Sequence, residues 1–137
     1  MQLTDTKAVS QFLCKGINDE NIVLKSAGTQ YYSYTYMADA VYGLLTVVLR
    51  GKNGEAYNIT DEKSNILMKD LAHLIADYVG SKVVFEIPDE VESSGYSKAA
   101  KALLNGNKLK QLGWAPFFPI KRGIPRTIDI LKGTQNQ

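Results

Sequence analysis

Val9, Phe12, Leu13 and Ile17 recur near helical spacing and predict a first helix over residues 7–16, with Asp5 or Thr6 as its cap and Gly16 at its end. NIVLKS, residues 21–26, reads as a short strand. In residues 31–36, Tyr32, Tyr34 and Tyr36 share one parity, so a strand here lines three phenols along one face. A helix over 37–50 follows, with Met37, Val41, Leu44, Leu45 and Val48 as its apolar stripe and Asp39 in its first turn, where a carboxylate suits the free N–H groups. EAYNI, 55–59, is a further strand candidate. MKDLAHLIADYVG is the clearest helix, with Met68, Leu71, Ala72, Ile75 and Val79 on one face and Gly80 as its stop. KVVFEI, 82–87, predicts another strand, closed by Pro88, and residues 89–104 read as a loop. NGNKLKQLGW suggests a short helix capped by Asn105, with Trp114 and Leu112 packing inward. Because Pro125 donates no backbone bond, the last helix is expected to start near Gly123 and end near Lys132, with Ile124, Thr127, Ile128 and Leu131 inward. The order is mixed α/β with short strands.

The 137 residues suffice for one core, and 45% apolar with 22% charged residues is ordinary for a globular protein. A net charge of +2 is too small to argue for nucleic acid or an anionic membrane as partner. Cys14 has no second cysteine to pair with, which points to a reducing compartment. No apolar run reaches the roughly 20 residues needed to span a bilayer. MQLTDTKAVSQF has no signal-peptide organisation, so a cytoplasmic chain is expected.

Chemistry-bearing motifs are sparse. One His and one Cys cannot build a metal site of the usual kind. His73 reads as a surface or boundary residue, and no local signature supports a Cys14–His73 nucleophile pair. The glycines never form a phosphate loop, and GKNG at 51–54 reads as a turn. Tyr78 and Lys82 match Tyr-x-x-x-Lys, but that acid/base pair needs one continuous helix face. Gly80 interrupts it, so the match is rejected.

The ordered set GTQYYSYTYMADAVYGLL, GEAYNI, MKDLAHLIADYVG, KLKQLGWAP and GIPRTIDILK resembles the C-terminal part of the NAD-dependent sugar-nucleotide epimerases and dehydratases, the extended short-chain dehydrogenases, a family that includes UDP-glucuronate decarboxylases and dTDP-glucose 4,6-dehydratases. The likeness runs from about Val9 to Lys132. It implies a small mixed α/β C-terminal domain lacking the NAD-binding Rossmann domain. In that family the glycine-rich NAD loop and the catalytic Tyr-x-x-x-Lys lie ahead of the matched region. The resemblance therefore implies a substrate-binding part over 1–132 and a frayed tail over 133–137. It implies no catalytic residue, cofactor site or metal in this chain, with NAD expected in a full-length relative.

The family segment G-x-Q-x-R-S-Y-x-Y-V-x-D matches at Gly28, Gln30, Ser33, Tyr34, Tyr36 and Asp39. Its arginine, which contacts the sugar-nucleotide diphosphate, falls on Tyr32. A phenol donates one hydrogen bond and carries no positive charge, so that anchor is weakened. Tyr34, Tyr36 and Asp39 read as structural, and a base-stacking or pocket-wall role for one tyrosine is the alternative. By resemblance, Val23 and Lys25 are candidate base-lining residues, with a solvated Lys25 as the alternative. Tyr96 and Lys98, with Lys101, are the candidate substitutes for a nucleotide-contacting arginine, and a solvated face is the alternative there. The expected ligand is a nucleotide-linked sugar. A stand-alone binding or protein-interaction module descended from such an enzyme is the competing reading. On either reading, the surface that would face the missing domain is expected to be apolar and to drive self-association.

Overall fold

The computed structural model describes residues 7–86 and 100–135. In chain order these form α1 (Ala8–Ile17), β1 (Ile22–Leu24), β2 (Tyr31–Ser33), α2 (Met37–Arg50), a 3-10 turn (Glu62–Ser64), β3 (Asn65–Leu67), α3 (Met68–Val79), β4 (Val83–Phe85), β5 (Lys101–Ala102), α4 (Asn107–Lys110) and α5 (Ile120–Gln135). The chain folds as two compact units. The first draws on Met1–Gln30, Leu67–Ala100 and Ile124–Gln137, the second on Tyr31–Ile66 and Lys101–Gly123.

In the first unit β1 and β4 pair in parallel, Ile22 opposite Val83 and Leu24 opposite Phe85. Ile22 and Leu24 are fully buried, as are Leu71, Ala72 and Ile75 on α3. Each large aliphatic side chain so buried contributes about 1.5–3 kcal/mol. Gly16 lies inside α1 and does not end it. A Cβ there would sit 3.0 Å from Ile75 Cγ2, so the glycine sets how closely α1 approaches α3. Lys7 occupies the cap position, and its side chain makes no cap bond to the helix; the expected caps Asp5 and Thr6 lie outside the described residues. Gly80 ends α3 in the left-handed conformation, φ 79°, as its place in the pattern predicted.

In the second unit β2 is the middle strand of a three-stranded sheet ordered β3-β2-β5, with Tyr31 opposite Lys101 and Tyr32 opposite Ala102. The tyrosine strand is shorter than expected. It stops at Ser33, and Tyr36 instead caps α2, its ring 4.8 Å from that of Phe118. Residues 55–59 form no strand: Tyr57 accepts the Lys52 N–H on its hydroxyl at 3.0 Å, and Ile59 gives its carbonyl to the Thr35 hydroxyl at 3.3 Å. The sheet uses Asn65–Leu67 and Lys101–Ala102 instead, neither of which shows a useful alternation in so few residues. Gly106, not Asn105, is the cap position of α4, although the Asn105 side chain accepts the Asn107 N–H at 2.9 Å.

Helix α2 has the expected ends but the opposite orientation. Its buried residues are Asp39, Gly43 and Thr46, while the apolar stripe is exposed. The inward face is the one that permits close approach, since a Cβ on Gly43 would meet Ile59 Cγ2 at 2.8 Å. It also carries the carboxylate that organises residues 114–118. Asp39 Oδ1 and Oδ2 accept the N–H groups of Phe117 and Phe118 at 2.9 and 2.8 Å, and its carbonyl accepts Trp114 Nε1 at 3.1 Å. Asp61 caps the 3-10 turn by accepting the Lys63 N–H and takes the Ser64 hydroxyl at 2.6 Å, while Ser64 Oγ accepts the Ile120 N–H at 2.9 Å. That bond starts α5 at Ile120, earlier than Pro125 alone suggested. Pro125 sits inside the helix, where it forfeits one backbone bond. Helix α5 continues past Lys132 to Gln135.

Replacing Asp39 by alanine leaves two backbone N–H groups without their charged acceptor. It should lower the unfolding free energy by about 2–4 kcal/mol, read from urea denaturation.

Candidate functional site

The tyrosine segment is held at both ends by backbone bonds within its respective units. Upstream, Gly28 adopts φ 65°, and its carbonyl accepts the Lys69 N–H at 3.0 Å; Gln30 likewise accepts the Met68 N–H at 2.9 Å. The space where Gly28 would carry a Cβ is filled by Leu24 and Lys69. Downstream, Ser33 donates its hydroxyl to Asn65 Oδ1 at 2.7 Å and accepts the Leu104 N–H at 3.1 Å. The side chain thus ties together residues from all three strand regions of the second unit. Tyr34 takes its N–H to the Ser64 carbonyl at 3.4 Å.

Tyr32 and Tyr34 are half-buried. Burial pushes the Tyr34 phenol above its ordinary value, and the charge of a Tyr32 phenolate adds to the shift. At neutral pH Tyr34 is therefore a neutral donor and acceptor, suited to a hydroxyl or a base edge and not to neutralising phosphate. Along the same unit Lys110 pairs with Glu62 at 2.5 Å, and Lys108 pairs with Glu55 while lying over the Tyr57 ring. The Lys110 hydrogen bond and then the Gly106 N–H hold the Glu62 carboxyl below its usual range. These two lysines are thus matched by carboxylates of the same unit.

Of the residues singled out from the sequence, Val23 is half-buried at the middle of β1 and Lys25 is exposed just beyond it, both in the first unit. Tyr32 belongs to β2 in the second unit beside Tyr34. Lys101 is exposed on β5, in register with Tyr31. Tyr96 and Lys98 lie outside the described residues. Three polar positions were passed over: Thr60, Asp61 and Ser64 are all buried. The signal for Asp61 is present in TDEKS, where an Asp ahead of a short helical turn is a favoured cap residue. His73 is exposed on α3. Tyr78 gives its hydroxyl to Asp129 at 2.7 Å, a bond that pushes its phenol upward, opposite to what an acid/base tyrosine needs.

Among the described residues, helices α2 and α3 are entered through Tyr36 and Leu67, and Leu24 and Lys69 fill the space beside Gly28. Among the described residues no group of three His, Cys, Asp or Glu could hold a metal, and no helix is long and apolar enough to cross a membrane.

The Tyr34 shift has a pH consequence. A phenol raised in the folded state stabilises it below the unfolded value of about 10, and that contribution is lost as pH rises through the folded value. Absorbance titration near 295 nm should show late-ionising tyrosines, one fewer of them in Tyr34→Phe while Tyr78 remains, and the wild-type fold should weaken above about pH 10.

No family model matches the chain. It is 29% identical over 126 residues to the dTDP-D-glucose 4,6-dehydratase of Bos taurus, covering 90% of this chain and 35% of that protein. It is 25% identical over 132 residues to UDP-glucuronic acid decarboxylase 1 of Xenopus tropicalis, covering 96% of this chain and 30% of that one. The chain thus spans about a third of the length of these curated relatives. Among solved structures, UDP-glucose 4-epimerase of Thermotoga maritima with UDP-glucose superposes with a TM-score of 0.78 at 23% identity, covering 94% of this chain and 40% of the other. The dTDP-glucose 4,6-dehydratase of Bacillus anthracis in complex with NAD gives 0.79 at 15% identity, covering 95% and 40%. The relatives of this chain are the NAD-dependent sugar-nucleotide dehydratases, decarboxylases and epimerases, and its fold is that of the C-terminal part of the extended short-chain dehydrogenases.

Proposed function

We propose that this chain is the sugar-nucleotide-binding portion of an NAD-dependent epimerase, dehydratase or decarboxylase, and that it carries out no redox chemistry by itself. The observation that carries this reading is coverage: the likeness takes in nine-tenths of the chain but about a third of each relative. The absence of a glycine turn or a Tyr-x-x-x-Lys face from its sequence is in keeping with a part that binds and orients substrate. On this reading Tyr32 offers a phenol to the ligand, and Val23, Lys25, Tyr96 and Lys98 are the further candidate contacts. NAD is held by other residues of a full-length protein. A reducing cytoplasm is the setting that agrees with a lone cysteine.

The second reading, a binding or interaction module without a sugar-nucleotide ligand, draws support from Tyr32. A phenol in the arginine position forfeits a bidentate, charged contact to phosphate.

Calorimetric titration with UDP-, dTDP-, GDP- and CDP-sugars separates the two. Saturable binding to one nucleotide class is expected. Tyr32→Arg should tighten it about tenfold or more, the worth of one charge-assisted pair. Silence from all four in both proteins would sink the first reading in favour of the second.

A further inference from the structure

The sequence contains two Asn-Gly pairs, Asn53-Gly54 and Asn105-Gly106. Both offer the same intramolecular reaction. A glycine, having no Cβ, lets its own backbone nitrogen approach the side-chain amide carbon of the asparagine before it. Both pairs lie in the second unit, and the fold treats them differently.

Asn53 and Gly54 form the centre of an exposed turn. The Glu55 N–H closes it on the Lys52 carbonyl at 3.2 Å, and Gly54 takes φ 77°, the sign that a type II turn requires at its third residue. That closing bond passes the Gly54 N–H by. Among the described residues neither this N–H nor the Asn53 side chain has a hydrogen-bond partner, and a Cβ on Gly54 would meet nothing within 4 Å.

Asn105 and Gly106 are tied down at the groups the reaction needs. Asn105 Oδ1 accepts the Asn107 N–H at 2.9 Å, and the Asn105 carbonyl accepts Asn58 Nδ2 at 3.1 Å. The Gly106 N–H, whose nitrogen would attack, is donated to the Glu62 carboxylate at 3.3 Å. A carboxylate there opposes loss of the amide proton. Gly106 is also buried against Thr60, whose carbonyl oxygen would stand 2.7 Å from an added Cβ, so its backbone has little room to turn.

We propose that Asn53 is a self-modifying site, converting to aspartate and isoaspartate through a cyclic imide with Gly54, and that the fold protects Asn105 from the same reaction. The Gly54 nitrogen bonds to Asn53 Cγ. The Cγ–Nδ2 bond breaks, and Nδ2 leaves as ammonia with the Gly54 amide proton. Water then opens the imide. Cleavage at Cγ gives an aspartyl side chain, whereas cleavage at the backbone carbonyl carbon gives isoaspartate, which lengthens the main chain inside the turn. Either product sets a negative charge two residues ahead of Glu55, which pairs with Lys108. Water is the sole co-reactant, so the reaction needs neither a partner nor a sugar nucleotide.

Peptide mapping by mass spectrometry of the full chain, held for days at mildly alkaline pH, reads both sites at once. In buffer Asn53 is expected to convert about tenfold or more faster than Asn105, the worth in rate of a charge-assisted hydrogen bond that must first break. In urea, where the fold is lost, the two rates should converge. Glu62→Ala should raise the Asn105 rate several-fold and leave that of Asn53 unchanged. Equal rates in buffer, a difference that persists in urea, or an Asn105 rate indifferent to Glu62→Ala would overturn the proposal.

Discussion

The Asp39 carboxylate accepts two consecutive amides, from Phe117 and Phe118, while its own carbonyl takes the Trp114 indole N–H. Those partners stand more than seventy residues further along the chain, and the second unit is organised around the contact. A carboxylate buried to this extent must have its oxygens satisfied. Once it points inward near the start of α2, the face of the helix that follows is settled. Gly43 and Thr46 follow Asp39 inward, and the large aliphatic residues are carried outward.

That constraint connects fold to surface. A helix placed by hydrophobic burial alone would have hidden Val41, Leu44 and Val48. Here the close approach of Gly43 to Ile59 and the amide bonds to Asp39 decide the orientation, and the displaced apolar stripe stands exposed. The same unit holds the tyrosine strand between β3 and β5. Ser33 fixes that strand from both sides, so the half-buried phenols of Tyr32 and Tyr34 flank an anchored residue.

On the proposed sugar-nucleotide reading, Tyr32 is the departure that bears most on ligand chemistry. A planar, permanently charged fork binds phosphate through two directed bonds, whereas a phenol offers one donor and an apolar ring. Tyr34 beside it is held neutral by burial. Phenols of this kind fit stacking and hydroxyl recognition better than charge neutralisation, whichever ligand they meet.

Helices α1, α2 and α3 were legible from apolar spacing, as was the Gly80 stop, because a helix repeats its signal over several turns. The rejection of Tyr78 and Lys82 also followed from the chain alone, since a glycine at the helix end breaks the shared face. The likeness to sugar-nucleotide dehydratases and decarboxylases was legible in the order of the motifs. Strands were legible only in part: 21–26 and 82–87 read as strands and hold β1 and β4, whereas 55–59 reads as a strand without being one and Lys101–Ala102 is one without reading as such, because the period-2 signal has little room to repeat. Nor could spacing say which side of α2 faces inward. An amphipathic pattern states that two faces differ, but which of them is buried depends on what lies across from it. For α2 that was an isoleucine needing a glycine and two backbone amides needing a carboxylate, and only the folded chain brings those groups to the helix.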